Sequence, residues 1–219
     1  MMRRDDVRLR ISREAARLFL SHGLAEVSGD AIGAAAGVST RTVWRHFRNK
    51  ENCIEPVLTV SIQRFARILK DWPLDETLEA HLRVAMPLDG ESPTLISDGA
   101  MAVRLVVLCE TEPAIRGVWL DAYHALELEV REVVARRANR SVLDYDVRLC
   151  AATIVAAIRA IDEAISIAAV SGERSYAPID LVNLMADAIR TAATLPICDA
   201  IESGLHAVLS RGAAGAAHN

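Results

Sequence analysis

The chain has 219 residues, 52% apolar and 25% charged, which excludes a disordered segment and is ample for a hydrophobic core. Aromatics supply only 4%, so that core must rest on Ala, Leu, Ile and Val, a composition that favours helix over strand. The net charge of −4 is unevenly spread: residues 1–50 hold ten basic against five acidic side chains and residues 51–219 hold 15 against 24, which suggests a basic module for a polyanion joined to an acidic module with another task.

In chain order, Ile11, Ala15, Leu18, Phe19 and His22 recur at three and four and predict a first helix ending at Gly23. Ser28 is a good N-cap for a second, with Asp30 in its first turn and Ile32, Ala35 and Ala36 as a short apolar face that stops at Gly37. Ser39 caps a third, in which Val43 and Phe47 at i and i+4 point inward and Thr40, Arg41, Thr42, Trp44 and Arg45 are left outside. Asn49 then caps a long helix with the stripe Ile54, Val57, Leu58, Phe65 and Ile68, running to about Lys70. Helical pattern continues over about 75–86, 95–110, 112–138, 144–171 and 178–195, punctuated by Pro87, Pro93, Pro113, Gly172 and Pro178. No segment alternates at period two, so the expected fold is all-α: a three-helix N-terminal unit over 1–50, a larger helical unit over 51–210, and a tail, 211–219, expected to fray.

The longest apolar stretch, Cys150 to Val170, is interrupted by Arg159, Asp162 and Glu163 and makes a poor membrane span, and the N-terminus lacks the apolar segment of a signal peptide. A cytoplasmic protein with no membrane partner is expected. Cys53, Cys109, Cys150 and Cys198 form no CxxC pair and have no His at ligand spacing, so they read as buried thiols rather than a disulfide framework or metal site. GxSxG, P-loop, HExxH and dinucleotide fingerprints are all missing, and Asp121, His124 and Glu127 have a spacing that any amphipathic surface produces. The expectation is a protein that is not an enzyme, with no catalytic residues, metal or cofactor.

Helix, glycine-containing turn and helix, the second carrying exposed Thr, Arg and aromatic side chains, is the arrangement of helix-turn-helix DNA readers. Short hydrogen-bonding residues belong where a helix N-terminus meets base edges, and cations where its flanks meet phosphates. Arg41 or Arg45 could fork onto a guanine, and Trp44 could lie against sugar-phosphate.

The run GDAIGAAAGVSTRTVWRHFRNKE followed by NCIEPVL resembles the signature of TetR-type (tetracycline-repressor-like) transcriptional regulators, over about residues 8–58. By position, the resemblance implies that Ser28 caps and meets a phosphate, that Thr40, Arg41 and Thr42 read bases and nearby phosphates, and that Trp44, His46 and Lys50 contact the backbone; Ser39 and Arg45 complete the expected DNA-facing set. Trp44 stands where Tyr is more usual, Thr40 where a basic residue is common, and the Ser-Gly-Asp start of the second helix is atypical.

The remaining 160 or so residues resemble the family in pattern only, which implies a ligand pocket among the middle helices and a two-fold four-helix interface from the last two. Ile154, Ile158, Ile161 and Ile165 form one stripe and Leu184 and Ala188 lie on another, so these are the expected dimer contacts. Arg159, Asp162 and Glu163 read as an exposed ion-pair group, with a place for one of them in the pocket as the sharper alternative; Met86, Met101, Trp119, Tyr123, His124 and Arg159 are the pocket candidates, against a reading of several as plain core. The function expected is a ligand-responsive homodimeric repressor, bound to a pseudo-palindromic double-stranded DNA operator and released by a small apolar effector. The alternative is a helical DNA-binding or interaction protein without an inducer.

Overall fold

The computed structural model describes residues 4–86, 92–173 and 176–201. Among these residues there is no strand, and the helices follow in the order α1 (Arg4–His22), α2 (Gly29–Ala35), α3 (Thr40–His46), a 3-10 turn (Glu51–Ile54), α4 (Glu55–Lys70), α5 (Leu78–Ala85), α6 (Pro93–Leu108), α7 (Pro113–Ala138), α8 (Tyr145–Ser171) and α9 (Pro178–Ala192). Local chemistry sets most boundaries. Ser28, Ser39, Thr77 and Ser92 each accept a hydrogen bond from the helix they open, and Gly23, Gly37, Asn139 and Gly172 take positive φ where one ends.

Several boundaries depart from expectation by two or more residues, and two of them have a local cause. The segment after Asn49 begins as the 3-10 turn, whose Asn52 N–H donates to Asn49 Oδ1 at 2.9 Å, and becomes α-helical only at Glu55. Pro56 explains the restart: lacking an N–H, it suits the first turn of a new helix better than the middle of a continuing one. The orphan donor that follows, Val57 N–H, is satisfied from another element by the buried Ser12 Oγ of α1 at 3.1 Å. At the other end α9 stops at Ala192, short of the expected 195, where Ala193 turns extended. The expected fraying tail, 211–219, lies outside the described residues.

One apolar cluster runs from Ile11 and Phe19 through Val57 and Leu105 to Ile189. Within it α4 packs on α7, α7 on α8 and α8 on α9, while α6 lies against α1, α4 and α8. At the corner between α4 and α5, the buried Arg137 of α7 donates to the carbonyls of Pro73 (2.5 Å), Glu76 (3.1 Å), Ile197 (2.6 Å) and Asp199 (2.8 Å), and its guanidinium lies 3.5 Å from the centroid of the Trp72 ring. Burial lowers this guanidinium to about 10, so it stays charged at neutral pH. Among the described residues no helix is long and apolar enough to cross a membrane, and no group of His, Cys, Asp and Glu is placed to hold a metal ion. All four cysteines are free and buried, and burial pushes Cys53 up to about 12 and Cys109 and Cys198 to about 11, which keeps them as unreactive thiols.

Candidate nucleic-acid interface and neighbouring cavity

α2 and α3 meet across a turn that tolerates no bulk at Gly33. A Cβ there would stand 3.0 Å from the Val38 carbonyl oxygen and 3.2 Å from Thr40 N, both backbone atoms, and Val38 N–H already donates back to Gly33 O at 2.9 Å. Gly37 supplies the left-handed residue of the turn, φ +62°. Ile32, Ala36, Val43 and Phe47 are buried with Phe19 of α1, so the outer face of α3 is fixed by what its inner face packs against. That outer face shows Arg41, Trp44 and Arg45, with Arg48 just beyond. Of the nearby carboxylates, Asp30 accepts from Thr40 Oγ1 at 2.5 Å, and Glu55 pairs with Arg8 at 2.7 Å. An exposed arginine surface attracts phosphate.

The expected DNA-facing residues divide into three groups. Arg41, Trp44 and Arg45 are exposed, although the Trp44 indole rests on Gly29. Ser28 and Ser39 are N-caps whose Oγ atoms accept from Ala31 N (3.1 Å) and Thr42 N (3.2 Å), Ser39 Oγ also lies 3.0 Å from Thr42 Oγ1, and Thr40 ties α3 to α2 through Asp30, so these hydroxyls first hold the motif together. His46 is half-buried against Phe47, ring centroids 6.4 Å apart. Lys50 departs from expectation: its ammonium turns inward and donates to the carbonyls of Leu24 (2.7 Å), Val27 (3.1 Å) and Ala25 (3.4 Å), pinning the loop between α1 and α2. With three donors and three such acceptors, it has little left for a phosphate. Arg48, outside the expected set, is the exposed cation at this end.

Two of the three atypical points of the motif, Trp44 and the Ser-Gly-Asp start of α2, prove to be one feature. The Trp44 indole lies over Gly29 so closely that a Cβ at Gly29 would be 2.0 Å from Trp44 Cζ2. The larger ring and the missing side chain at the start of α2 are a matched pair.

Behind this head, α4, α6, α7, α8 and α9 enclose a cavity of about 350 Å³, and an outer recess of about 410 Å³ shares Ser61, Phe65, Met86 and Gly99 with it. Trp119, Tyr123 and Met86 line the inner chamber as expected. Three candidates do not: Met101 is packed in the core, His124 is exposed, one residue round α7 from the chamber-facing Tyr123, and Arg159 is the third. Arg159 lies outside the lining, 5.8 Å from the centroid of the Trp119 ring and 3.6 Å from Glu163, a partly exposed ion pair. Asp162 parts company with these two neighbours and lines the chamber, accepting from Tyr123 Oη at 2.7 Å. Burial raises Asp162 above the ordinary carboxylate range, while Tyr123 and the Trp119 indole N–H, which closes no full hydrogen bond, oppose part of that rise. Tyr123 is pushed well above its usual value by burial and then by the Asp162 charge.

The head is fastened to the cavity wall by a second feature the sequence did not disclose. Arg13 of α1 grips Asp98 of α6 through Nε and Nη2, both at 2.7 Å, with the Asp98 side chain only 4% exposed. Gly99, Ala102, Val103 and Val106 of the same helix line the chamber. On the far side of the molecule the expected contact stripe needs correction. Ile154 and Ile158 are buried in their own protomer and cannot meet a partner; Ile161 and Ile165 are half-buried. The outward face of α8 carries Leu149, Ala156, Ala160 and Ala164 instead, with Leu184 exposed on α9 and Ala188 half-exposed.

Residues 11–57 match the sequence model of the family described as bacterial regulatory proteins, tetR family. Over 160 residues the chain is 26% identical to the HTH-type transcriptional regulator TcmR of Streptomyces glaucescens, covering 70% of this chain and 69% of that one. Over 140 residues it is 24% identical to the HTH-type transcriptional repressor AcnR of Corynebacterium glutamicum, covering 64% and 70%. The fold is shared with Salmonella enterica GusR at 18% identity (TM-score 0.54, 87% of this chain and 98% of that one) and with the fatty acid degradation regulator FadR of Bacillus halodurans at 16% identity (TM-score 0.51, 87% and 96%).

Proposed function

We propose, from the match of residues 11–57 to the tetR family of bacterial regulatory proteins, that the chain is a homodimeric, cytoplasmic transcriptional repressor, not an enzyme, that leaves its operator when a small, largely apolar effector enters the chamber behind α4. Residues 1–50 read DNA, and residues 51–210 hold the effector and the partner. The observation that carries the reading is the placement of the chamber: α4, which follows the head directly, and α6, which grips it through Asp98, both form its walls. Anything that changes the spacing of those two helices changes the attitude of α3.

Two protomers related by a two-fold axis place two copies of α3 in successive major grooves, so the operator is a pseudo-palindrome with half-sites about 34–36 Å apart or a multiple of it. The exposed faces of α8 and α9, from Ala156 to Ala164 and at Leu184, supply the self-complementary surface such a dimer needs. An effector acts only if it binds the DNA-free state more tightly; at a usual coupling of about 1–3 kcal/mol, saturation weakens DNA binding roughly 5- to 150-fold.

The test begins with selection of binding sites from random duplexes by the purified protein, which should return a two-fold symmetric sequence. Titration of a bound ligand with and without that duplex then decides the effector role. Selection without symmetry would remove the dimeric reading, and equal ligand affinity in both states would leave a DNA-binding protein without an inducer.

A further inference from the structure

Nine aromatic side chains serve the whole chain, yet three of them, Phe65, Trp119 and Tyr123, converge on the inner chamber. The same wall carries the Asp162 carboxylate, and no Lys, Arg or His lines the chamber among the described residues. Tyr123 Oη occupies one lone pair of Asp162, and a carboxylate offers about four. The nearest basic side chain on its own helix, Arg159, sits over the Trp119 ring, 5.8 Å from its centroid, where its charge reaches Tyr123, but it is outside the lining and paired with Glu163; Arg64 lines the outer recess, not the inner chamber. A hydrogen-bonding polar group alone would serve to orient a neutral effector. An anionic group set into aliphatic and aromatic surface does something different, because an uncompensated charge there is unfavourable until a cation joins it.

We propose that the chamber is selective for lipophilic organic cations, whose ammonium group docks on Asp162 beside the edge-to-face pair of Trp119 and Tyr123, ring centroids 5.2 Å apart, while the hydrocarbon part lies against Phe65, Met86 and Leu126. This deepens the effector reading above and rests on the chamber being the ligand site. The aromatic faces add attraction for the cation that they do not give a neutral head. A matching carboxylate on a ligand would be repelled, so a free fatty acid is a poor occupant.

Three probes with one skeleton isolate the charge: 4-phenylbutylammonium, 4-phenylbutanol and 4-phenylbutyrate, each titrated calorimetrically into the full chain. The ammonium is expected to bind about tenfold tighter than the alcohol, a difference of about 1.4 kcal/mol, with the carboxylate weakest. Asp162→Asn should abolish that preference and leave the alcohol within about twofold, whereas Glu163→Gln, one residue away on the exposed side, should leave the preference in place. Equal binding of ammonium and alcohol, tighter binding of the carboxylate, a preference that survives Asp162→Asn, or no binding of any probe overturns the proposal. The comparison on the unmodified chain decides even if Asp162→Asn does not fold. Ammonium binding without any loss of operator affinity leaves the cation site standing and removes the effector reading; operator binding with no ammonium binding does the reverse.

Discussion

Trp44 and Gly29 show how a single contact can be invisible one residue at a time. Each looks like a departure from the family signature, but the indole fills the space that a side chain at position 29 would need. The atoms in the way are the far end of a side chain that is 43% exposed, so Gly29→Ala is expected to swing the ring aside and change thermal stability by no more than a few degrees. Its effect should appear on DNA: if Trp44 lies against sugar-phosphate, Gly29→Ala and Trp44→Ala weaken operator binding by similar amounts, and the double variant is little weaker than either, as a binding cycle would reveal. Additive losses would separate the two residues. Lys50 makes a second residue-level case, because its ammonium holds three carbonyls of the α1–α2 loop. Lys50→Met should lower stability by about 1–3 kcal/mol in urea denaturation and leave the salt dependence of DNA binding unchanged. Arg45→Ala and Arg48→Ala should do the opposite, each lowering the slope of log affinity against log salt by about 0.9 for every phosphate that the variant no longer neutralises.

Among the elements, the pairing of α1 with α6 is decided by one ion pair whose partners are unequal. The Asp98 side chain is 4% exposed and that of Arg13 26%, so losing Arg13 strands a buried charge while losing Asp98 lets the guanidinium reach water. Arg13→Ala should therefore cost about 3–5 kcal/mol and Asp98→Ala distinctly less, measured by chemical denaturation. If the grip also transmits effector binding, Asp98→Asn should bring ligand affinities with and without operator closer together. Helix positions were largely legible beforehand because their signals are local: a serine cap, a glycine of positive φ and a proline in a first turn each act within a few residues. What those signals cannot carry is the identity of the surface a helix faces. Asp98 sits in a segment that reads as apolar, 85 residues from Arg13. Ile154 and Ile158 have the right period for a buried seam, and periodicity says that a face is buried without saying against which element. Asp162 turns inward and Glu163 outward only because α7 and α9 surround the helix as they do.

Over the molecule as a whole, the segregation of charge and the placement of the bare alanine face carry the argument. A basic head and an acidic body make association with DNA orientation-dependent from a distance and steeply weakened by salt. Ala160→Glu should break the assembly into folded monomers with weak operator affinity, because residue 160 is exposed in the protomer, while Ile158→Asp should unfold the protomer itself. Light scattering with circular dichroism distinguishes the two outcomes; an intact dimer of Ala160→Glu would move the interface elsewhere. The all-helical class and the reading head were readable from composition and motif. The chamber was readable only as a place, since Asp162, the one charged residue in its wall among the described residues, was indistinguishable from the exposed pair beside it.

Arg137 binds the Glu76 carbonyl 61 residues before it and the Asp199 carbonyl 62 residues after it. On a ribosome adding about 5–20 residues per second, the first partner is made well before the arginine and the last arrives some 3–12 s after it. Until then a buried guanidinium has half its acceptors missing, and the corner between α4 and α5 is held on one side only. The helix-turn-helix, all of it made by residue 50, can reach its own packing while the body is still open, so the nascent chain presents the exposed arginines of α3 before it has a closed chamber.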